Sequence, residues 1–439
     1  MNEILDLVKK YIDEKHSKKE WRPGKDWVQY AGPYFDSTEF TNVVEVLLNE
    51  WLVLGSKGIT FEKKFPKYFD KNFGVLTNSG SSSNLLMMAA LKSKRLTSFK
   101  DVKVITPVAG FPTTVNPILQ NGFKPVFVDI ELDTLNIDVD QLKEAAIKHP
   151  DAKIVTFAHV LGNPPNMDEV MKVVKDHDLI LLEDCCDALS STYDGKPLGS
   201  FGEMASCSFY PAHHITMGEG GFVSCNTYEQ EQVLRSFRDW GRGCYCVGKA
   251  NLTRNGSCKC RFNNWIPAFP DKVFDHKYVY EEIGYNLKPI EMQAAMGLAQ
   301  LDKLDDIKEK RVRNYNMLLG AFKPYEGLFR LPYPREKSDP NWFAFPVTVR
   351  DNISFDRTQL CEFFEDHKIQ TRPYFAGNIM LQPGYSDIDP DTDYKSEYPN
   401  ATTAMLNTFF LGTSPVITPE KIHWITEVLD KFVASHYNQ

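Results

Sequence analysis

The chain has 439 residues, 42% hydrophobic and 25% charged, an ordinary globular composition, and its length suits a large domain with a smaller companion rather than one small core. A formal charge of −8 argues against nucleic acid as the main partner. The longest clean apolar run, LLMMAAL at Leu85–Leu91, is far short of the roughly 20 residues of a spanning helix, so no membrane association is expected.

The first segment is charged throughout, and its apolar residues Ile4, Leu5, Val8, Tyr11 and Ile12 fall at helical spacing. That pattern predicts an amphipathic surface helix and not a secretory leader, hence a cytoplasmic protein with a helical arm over residues 1–45. An odd count of nine cysteines then fits reduced thiols better than a disulfide framework.

From about residue 40 to 230, short β-rich runs alternate with helical ones. Predicted strands are KVITP (103–107), KPVFVDI (124–130), KIVTFAHV (153–160), LILLED (179–184), ASCSFY (205–210) and GFVSC (221–225). Most are continuous apolar runs, the mark of strands covered on both faces, so an α/β fold with a mostly parallel central sheet is expected. Helices are predicted between them, at 83–92 and 168–177 among others. A longer helical pattern over 291–322 reads as one rod of about 45 Å. Beyond Pro324, NWFAFPVTV and LGTSPVIT read as strands, and SFDRTQLCEFFEDHK and PEKIHWITEVLDKF as helices. The expected division is a large domain over 46–305, with a cysteine-rich insertion at 242–262, and a small C-terminal α/β domain over 306–439.

Three stretches carry candidate chemistry. TNSGSSSNLLMMAAL, from Thr77, opens an apolar helix with a glycine and small hydroxyl residues. Its unpaired amides and positive dipole end suit a phosphate, although such a serine run also serves as a plain N-cap. LILLEDCCDAL places Asp184 at the end of an apolar strand, where open α/β sheets bind ligands; a carboxylate there can hold a pyridinium nitrogen protonated or simply cap a helix. TPVAGFPTTVNP follows another strand, and Phe111 can stack on a flat ring or pack against its neighbours.

The order and spacing of these stretches resemble the sugar aminotransferase superfamily of fold type I pyridoxal-phosphate enzymes, over nearly the whole chain from WLVLGSKGITFEKKF (Trp51–Phe65) onward. The resemblance implies a phosphate cradle of Gly80, Ser81 and Ser208, Asp184 on the pyridine nitrogen and Phe111 near the ring. GYNLKPIEMQAAMG matches the segment that reaches the neighbouring subunit's phosphate, which nominates Asn286 and a homodimer.

SFYPAHHITMGEGG (Ser208–Gly221) departs from that pattern. The fifth residue after the phosphate serine is the Schiff-base lysine of the superfamily, and here it is His213. An imidazole forms no stable imine with the cofactor aldehyde, so the working species would be untethered pyridoxamine 5′-phosphate (PMP, the amine form of PLP), with His213 as a general base near neutrality. The competing reading is a structural histidine in an inactive relative. His214 is out of register.

In DWGRGCYCVGKANLTRNGSCKCRF, four thiols lie between Cys244 and Cys260. They suit a tetrahedral structural zinc, or three of them join a distant cysteine around an iron–sulfur cluster. The stretches AGFPTTVNP, EDCCDA, SFRDWGR and DHKYVYEEIGYNLK resemble the iron–sulfur 3-dehydrases of 3,6-dideoxyhexose synthesis, which act on a CDP-linked 4-keto-6-deoxyglucose. That resemblance implies a 2Fe-2S cluster on Cys186, Cys244, Cys246 and Cys258. Cys186 and Cys244 have the family's 57 intervening residues, but the family's fourth position, seven residues past Cys246, is Arg254. A longer loop aligns Cys258 there, with Cys260 as an alternate. It further implies an NADH-dependent flavin and iron–sulfur reductase as partner. The same chemistry on a dTDP- or GDP-linked sugar, and a non-catalytic sugar-nucleotide sensor with a structural zinc, are the rival readings. Arg372, His276 and Arg238 are candidates for recognising the nucleotide base. Cys185, Cys207, Cys225 and Cys361 read as core residues.

Overall fold

The computed structural model describes residues 1–17 and 20–437. Seven strands form one sheet: β1 (Phe73–Thr77), β2 (Lys103–Pro107), β3 (Lys124–Val128), β4 (Ala152–Ala158), β5 (Ile180–Asp184), β6 (Met204–Ser208) and β7 (Gly221–Cys225), in the order β1-β7-β6-β5-β4-β2-β3. From β3 to β6 all pairings are parallel; β7 runs antiparallel to both β6 and β1. The apolar runs explain the layering. Ile105, Val155, Leu181 and Ala205 enter a core on one face with Phe61, Phe157 and Phe222, whereas Val104, Ile154, Leu182 and Met204 enter a core on the other with Leu86 and Val233. Successive strand residues point to opposite faces, so burial on both leaves no polar alternation. The sheet is mostly parallel, as expected from the sequence.

Residues beyond 322 build a second sheet, β8 (Phe329–Arg330), β9 (Ala344–Val349), β10 (Arg372–Pro373) and β11 (Thr408–Gly412), in the antiparallel order β8-β9-β11-β10. Its core gathers Phe322, Phe345, Phe409 and Leu429 and takes in Val28 from the N-terminal segment. The first helix, Asn2–Ser17, packs on the helix Ser37–Leu48. It buries only Ile12 and leaves Leu7 and Tyr11 exposed. Among the described residues no helix is long and apolar enough to cross a membrane.

Two expectations are corrected. The pattern over 291–322 is two helices, Glu291–Leu301 and Leu304–Phe322. The chain turns at Asp302 and Lys303, where the Lys303 ammonium reaches the fully buried Glu39 at 2.6 Å. The strand read in LGTSPVIT lies earlier, at Thr408–Gly412; the Ile417 amide bonds back to the Ser414 carbonyl and closes a turn instead.

Candidate active site

A cleft of about 1030 Å³ opens where the carboxyl ends of the parallel strands meet the small domain, and Gly80, Ser81, Phe111, Asp184, Ser208 and His213 all line it. Six of the residues singled out in the sequence are therefore brought together.

The helix Gly80–Ala90 starts at the cleft. Ser79 caps it, its hydroxyl accepting from the Ser82 amide at 3.1 Å, and the remaining first-turn amides have no helical partner. A methyl group on Gly80 would stand 2.4 Å from the Ser208 side chain, so only glycine lets the helix start approach the end of β6. The result is a narrow, hydroxyl-lined cradle with a positive dipole end, which fits a phosphate.

Asp184 ends β5 and is buried. One carboxylate oxygen accepts from Asn84 at 2.7 Å and Thr114 at 2.8 Å; the other accepts from the Cys186 amide at 3.1 Å. These donors fix the direction of the carboxyl group. Neither Asn84 nor Thr114 was evident in the sequence, since each becomes relevant only when its helix crosses the end of β5. Phe111 is half exposed and meets the Phe375 ring edge-on, leaving a face toward the cleft. Phosphate cradle, buried carboxylate and aromatic face together fit a pyridoxamine or pyridoxal phosphate.

His213 lies in the cleft wall beside Phe343, with ring centroids 5.2 Å apart. Burial pulls its pKa down to about 4, so the ring is neutral at physiological pH. Its Nδ1 faces the Asp187 carboxyl at 3.4 Å. Burial and the charge of Asp184 push Asp187 up to about 7. Arg311, buried, donates to the His213 carbonyl at 3.1 Å and the Phe343 carbonyl at 2.9 Å, tying the histidine loop to the small domain. His214 turns inward and bonds the Asn341 carbonyl through Nε2 at 2.7 Å. Asp187 and Arg311 were not foreseen. The sequence EDCCDA offers three carboxylates without saying which one the turn after β5 presents to the histidine.

Asn286 is exposed and does not line the cleft, although the adjacent Leu287 carbonyl accepts from the amide of Asn78, which does. Of the three base-recognition candidates, Arg372 lines the cleft, its guanidinium 4.4 Å from the centre of the Tyr30 ring. Arg238 is buried on Glu62 and Asp239, and His276 stacks on Trp265; neither reaches the cleft.

The cysteines divide. Cys185, Cys207 and Cys225 are core residues, as expected, and Cys361 is part-buried. Cys244, Cys246, Cys258 and Cys260 share one surface lobe. The Cys246 sulfur lies 3.2 Å from the Ser257 amide and hydroxyl, and the Cys258 sulfur 3.6 Å from the Asn255 carbonyl. A Cβ on Gly256 would be 2.7 Å from the Cys246 sulfur and 3.8 Å from the Cys258 sulfur, so these two thiols lie on either side of that glycine. Cys186 does not join them within the chain: its sulfur lines the cleft, 4.0 Å from the Ser206 hydroxyl.

Comparison with known proteins agrees with this architecture. Lipopolysaccharide biosynthesis protein RfbH of Salmonella typhimurium is 40% identical, over 99% of this chain and 98% of that protein. The dTDP-4-dehydro-2,6-dideoxy-D-glucose 3-dehydratase of Saccharopolyspora spinosa is 38% identical, over 98% and 92%. Among solved structures, E. coli GDP-4-keto-6-deoxy-D-mannose-3-dehydratase with bound hydrated PLP superposes with a TM-score of 0.76 at 29% identity, covering 92% of this chain and 99% of that one. Residues 33–430 match a single family, and the chain belongs to it: the DegT/DnrJ/EryC1/StrS aminotransferase family.

Proposed function

We propose that this chain removes the C3 hydroxyl of a nucleotide-diphosphate-linked 4-keto-6-deoxyhexose, CDP-4-keto-6-deoxy-D-glucose, using pyridoxamine 5′-phosphate held without a covalent bond. The observation that carries the reading is His213, a neutral imidazole lining the cleft at the position where relatives with ordinary amino transfer have their lysine. The relatives named as sugar-nucleotide 3-dehydratases support the reaction class.

Bound in the cleft, the cofactor supplies an amine for the sugar's keto carbon and a ring that accepts electrons. Gly80, Ser81 and Ser208 hold its phosphate, Asp184 keeps its ring nitrogen protonated, and Phe111 covers the ring. Asn286 serves the neighbouring subunit's phosphate in a homodimer. With Nδ1 3.4 Å from the Asp187 carboxyl, His213 would use its Nε2 lone pair to take a proton from the cofactor's C4′ carbon. The C3 hydroxyl departs with a proton as water. Two electrons and two protons then complete the 3,6-dideoxy-4-keto sugar nucleotide. Cys186, Cys244, Cys246 and Cys258 would hold a 2Fe-2S cluster, which would supply one-electron transfer from an NADH-dependent flavin iron–sulfur reductase.

The decisive experiment supplies purified protein with PMP, reductase and the CDP sugar. Wild type should release the 3-deoxy product, and His213→Asn should bind PMP normally but lose activity by at least about 100-fold, the usual worth of a general base. Undiminished deoxygenation by His213→Asn would refute the mechanism. Parallel dTDP and GDP substrates decide the nucleotide, and preference for either replaces the CDP assignment.

A further inference from the structure

We infer that Arg372, braced on the ring of Tyr30, is the seat of the substrate's diphosphate, the part common to every nucleotide-diphosphate sugar; this rests on the sugar-nucleotide reading above. The charge lining the cleft points there. Among the described residues, Arg372 is the sole lysine or arginine on the cleft wall, against three carboxyl groups, Asp184, Asp187 and Glu219. His213 adds no charge at neutral pH. The cofactor's phosphate has its own place at the start of the helix Gly80–Ala90. A second ligand bearing a diphosphate brings further negative charge to a wall that is otherwise acidic, and charge taken out of water has to be paired. Within the cleft that pairing falls to Arg372.

The arginine is held in place without being neutralised. It is half-buried at the start of β10 and lies opposite Phe410, another residue of the cleft wall, across the sheet. Its guanidinium stands over Tyr30, and Nη1 donates to the Thr371 carbonyl at 2.7 Å. Arg330 and Arg335, by contrast, are committed to the carboxylates of Asp133 and Glu131.

Tyr30 is fixed equally well. The Val28 amide donates to the Lys368 carbonyl at 2.7 Å, and the Gln370 amide donates to the Val28 carbonyl at 2.9 Å. The Tyr30 amide then donates to the Gln370 side chain at 3.2 Å. The segment carrying the ring is therefore laced to the one leading into Arg372. A guanidinium with one face on a ring still presents its edge, and that edge matches two phosphate oxygens at once. A neutral base in its place would leave the diphosphate unpaired, so the diphosphate, and not the base for which Arg372 was first a candidate, is assigned to it. The cofactor's cradle belongs to the seven-stranded sheet and Arg372 to the second sheet, so the two phosphate-bearing ligands are held from different sheets.

The test titrates full-length, PMP-loaded protein with CDP, dTDP and GDP and with the matching nucleosides, by calorimetry, measuring weak ligands by competition. Wild type, Arg372→Ala and Arg372→Lys are compared. PMP binding, followed by absorbance, should be the same in all three and serves as the folding control. Wild type should bind its preferred nucleoside diphosphate more tightly than the nucleoside. Arg372→Ala should weaken that diphosphate by about 10- to 100-fold, the worth of hydrogen bonds to a charged group, and leave the nucleoside unchanged. Arg372→Lys, which keeps the charge and loses the fork, should recover part of the affinity. An equal loss for diphosphate and nucleoside overturns the assignment in favour of the base, and unchanged diphosphate binding by Arg372→Ala overturns it outright. Wild-type protein that binds none of the three diphosphates refutes the substrate class of the proposed function as well. Where wild type binds one of them and only the variants disagree, that class stands and the role of Arg372 alone is refuted.

Discussion

The carboxyl of Asp187, raised to about 7 against an ordinary 3.8, makes the cleft sensitive to pH in a definite direction. Between those values the unfolded chain has released its proton and the folded chain has not, so this stability is full below about 4 and is lost as pH rises through 7. Three pKa units correspond to something on the order of 4 kcal/mol. Asp187→Asn removes the titration, so its Tm should rise relative to wild type, and the gap should be wider at pH 8 than at pH 5 in calorimetric scans. The same variant should slow dehydration, because an amide fixes the His213 tautomer less firmly. His213 has the opposite sign. Lowered to about 4 from 6.5, its stabilising contribution is present above 6.5 and lost as pH falls. The acid limb of kcat/KM should lie well below 6.5 in a pH–rate profile, and a limb at 6.5 or above would count against His213 as base. His213 was legible because its spacing from Ser208 is fixed by one short loop. Asp187 was not, because its role depends on how the chain leaves β5.

Secondary structure was read best where burial is symmetrical. All six expected strands of the large sheet form, since their continuous apolar runs are buried on both faces of the sheet. β1 escaped notice: FGVLT is short and carries Gly74, which is there because a Cβ would meet the Phe222 ring. The break after Leu301 was equally hidden, since the 3.6-residue pattern runs on while Lys303 turns aside to a distant carboxylate. Lys303→Met should therefore be costly. Glu39, fully buried, would keep only Gln300 and the Asp36 amide, and stripping one partner from a buried pair costs about 3 kcal/mol or more, readable in urea unfolding. Gly80→Ala probes the helix start. The added methyl must push the helix off Ser208, so PMP should bind at least tenfold more weakly by absorbance titration while circular dichroism is unchanged.

For the whole molecule, the loop that carries Asn286 also exposes Ile283, 95% accessible, with Tyr278, Tyr280 and Trp240 near it. Such apolar exposure beside a residue assigned to a neighbour's site is what the proposed homodimer would cover. Ile283→Asp should shift the protein from dimer to monomer in sedimentation velocity, and PMP affinity should fall with it. A dimer that persists with weakened cofactor binding would locate the effect in the loop instead. The second sheet follows the change of texture after Pro324, whereas the tie through Arg311, which bonds both the histidine loop and β9's neighbour Phe343, was invisible to any reading of linear pattern. In the proposed mechanism, His213 in place of a lysine would also alter how the protein is maintained in a cell. A coenzyme that is never anchored would dissociate at each opportunity, so the active fraction would follow its free concentration by simple mass action. At a hundredfold excess over Kd, occupancy would add about 2.7 kcal/mol to folding. Starved of vitamin B6, such a protein would lose thermal tolerance along with turnover, and both would return when the vitamin was restored.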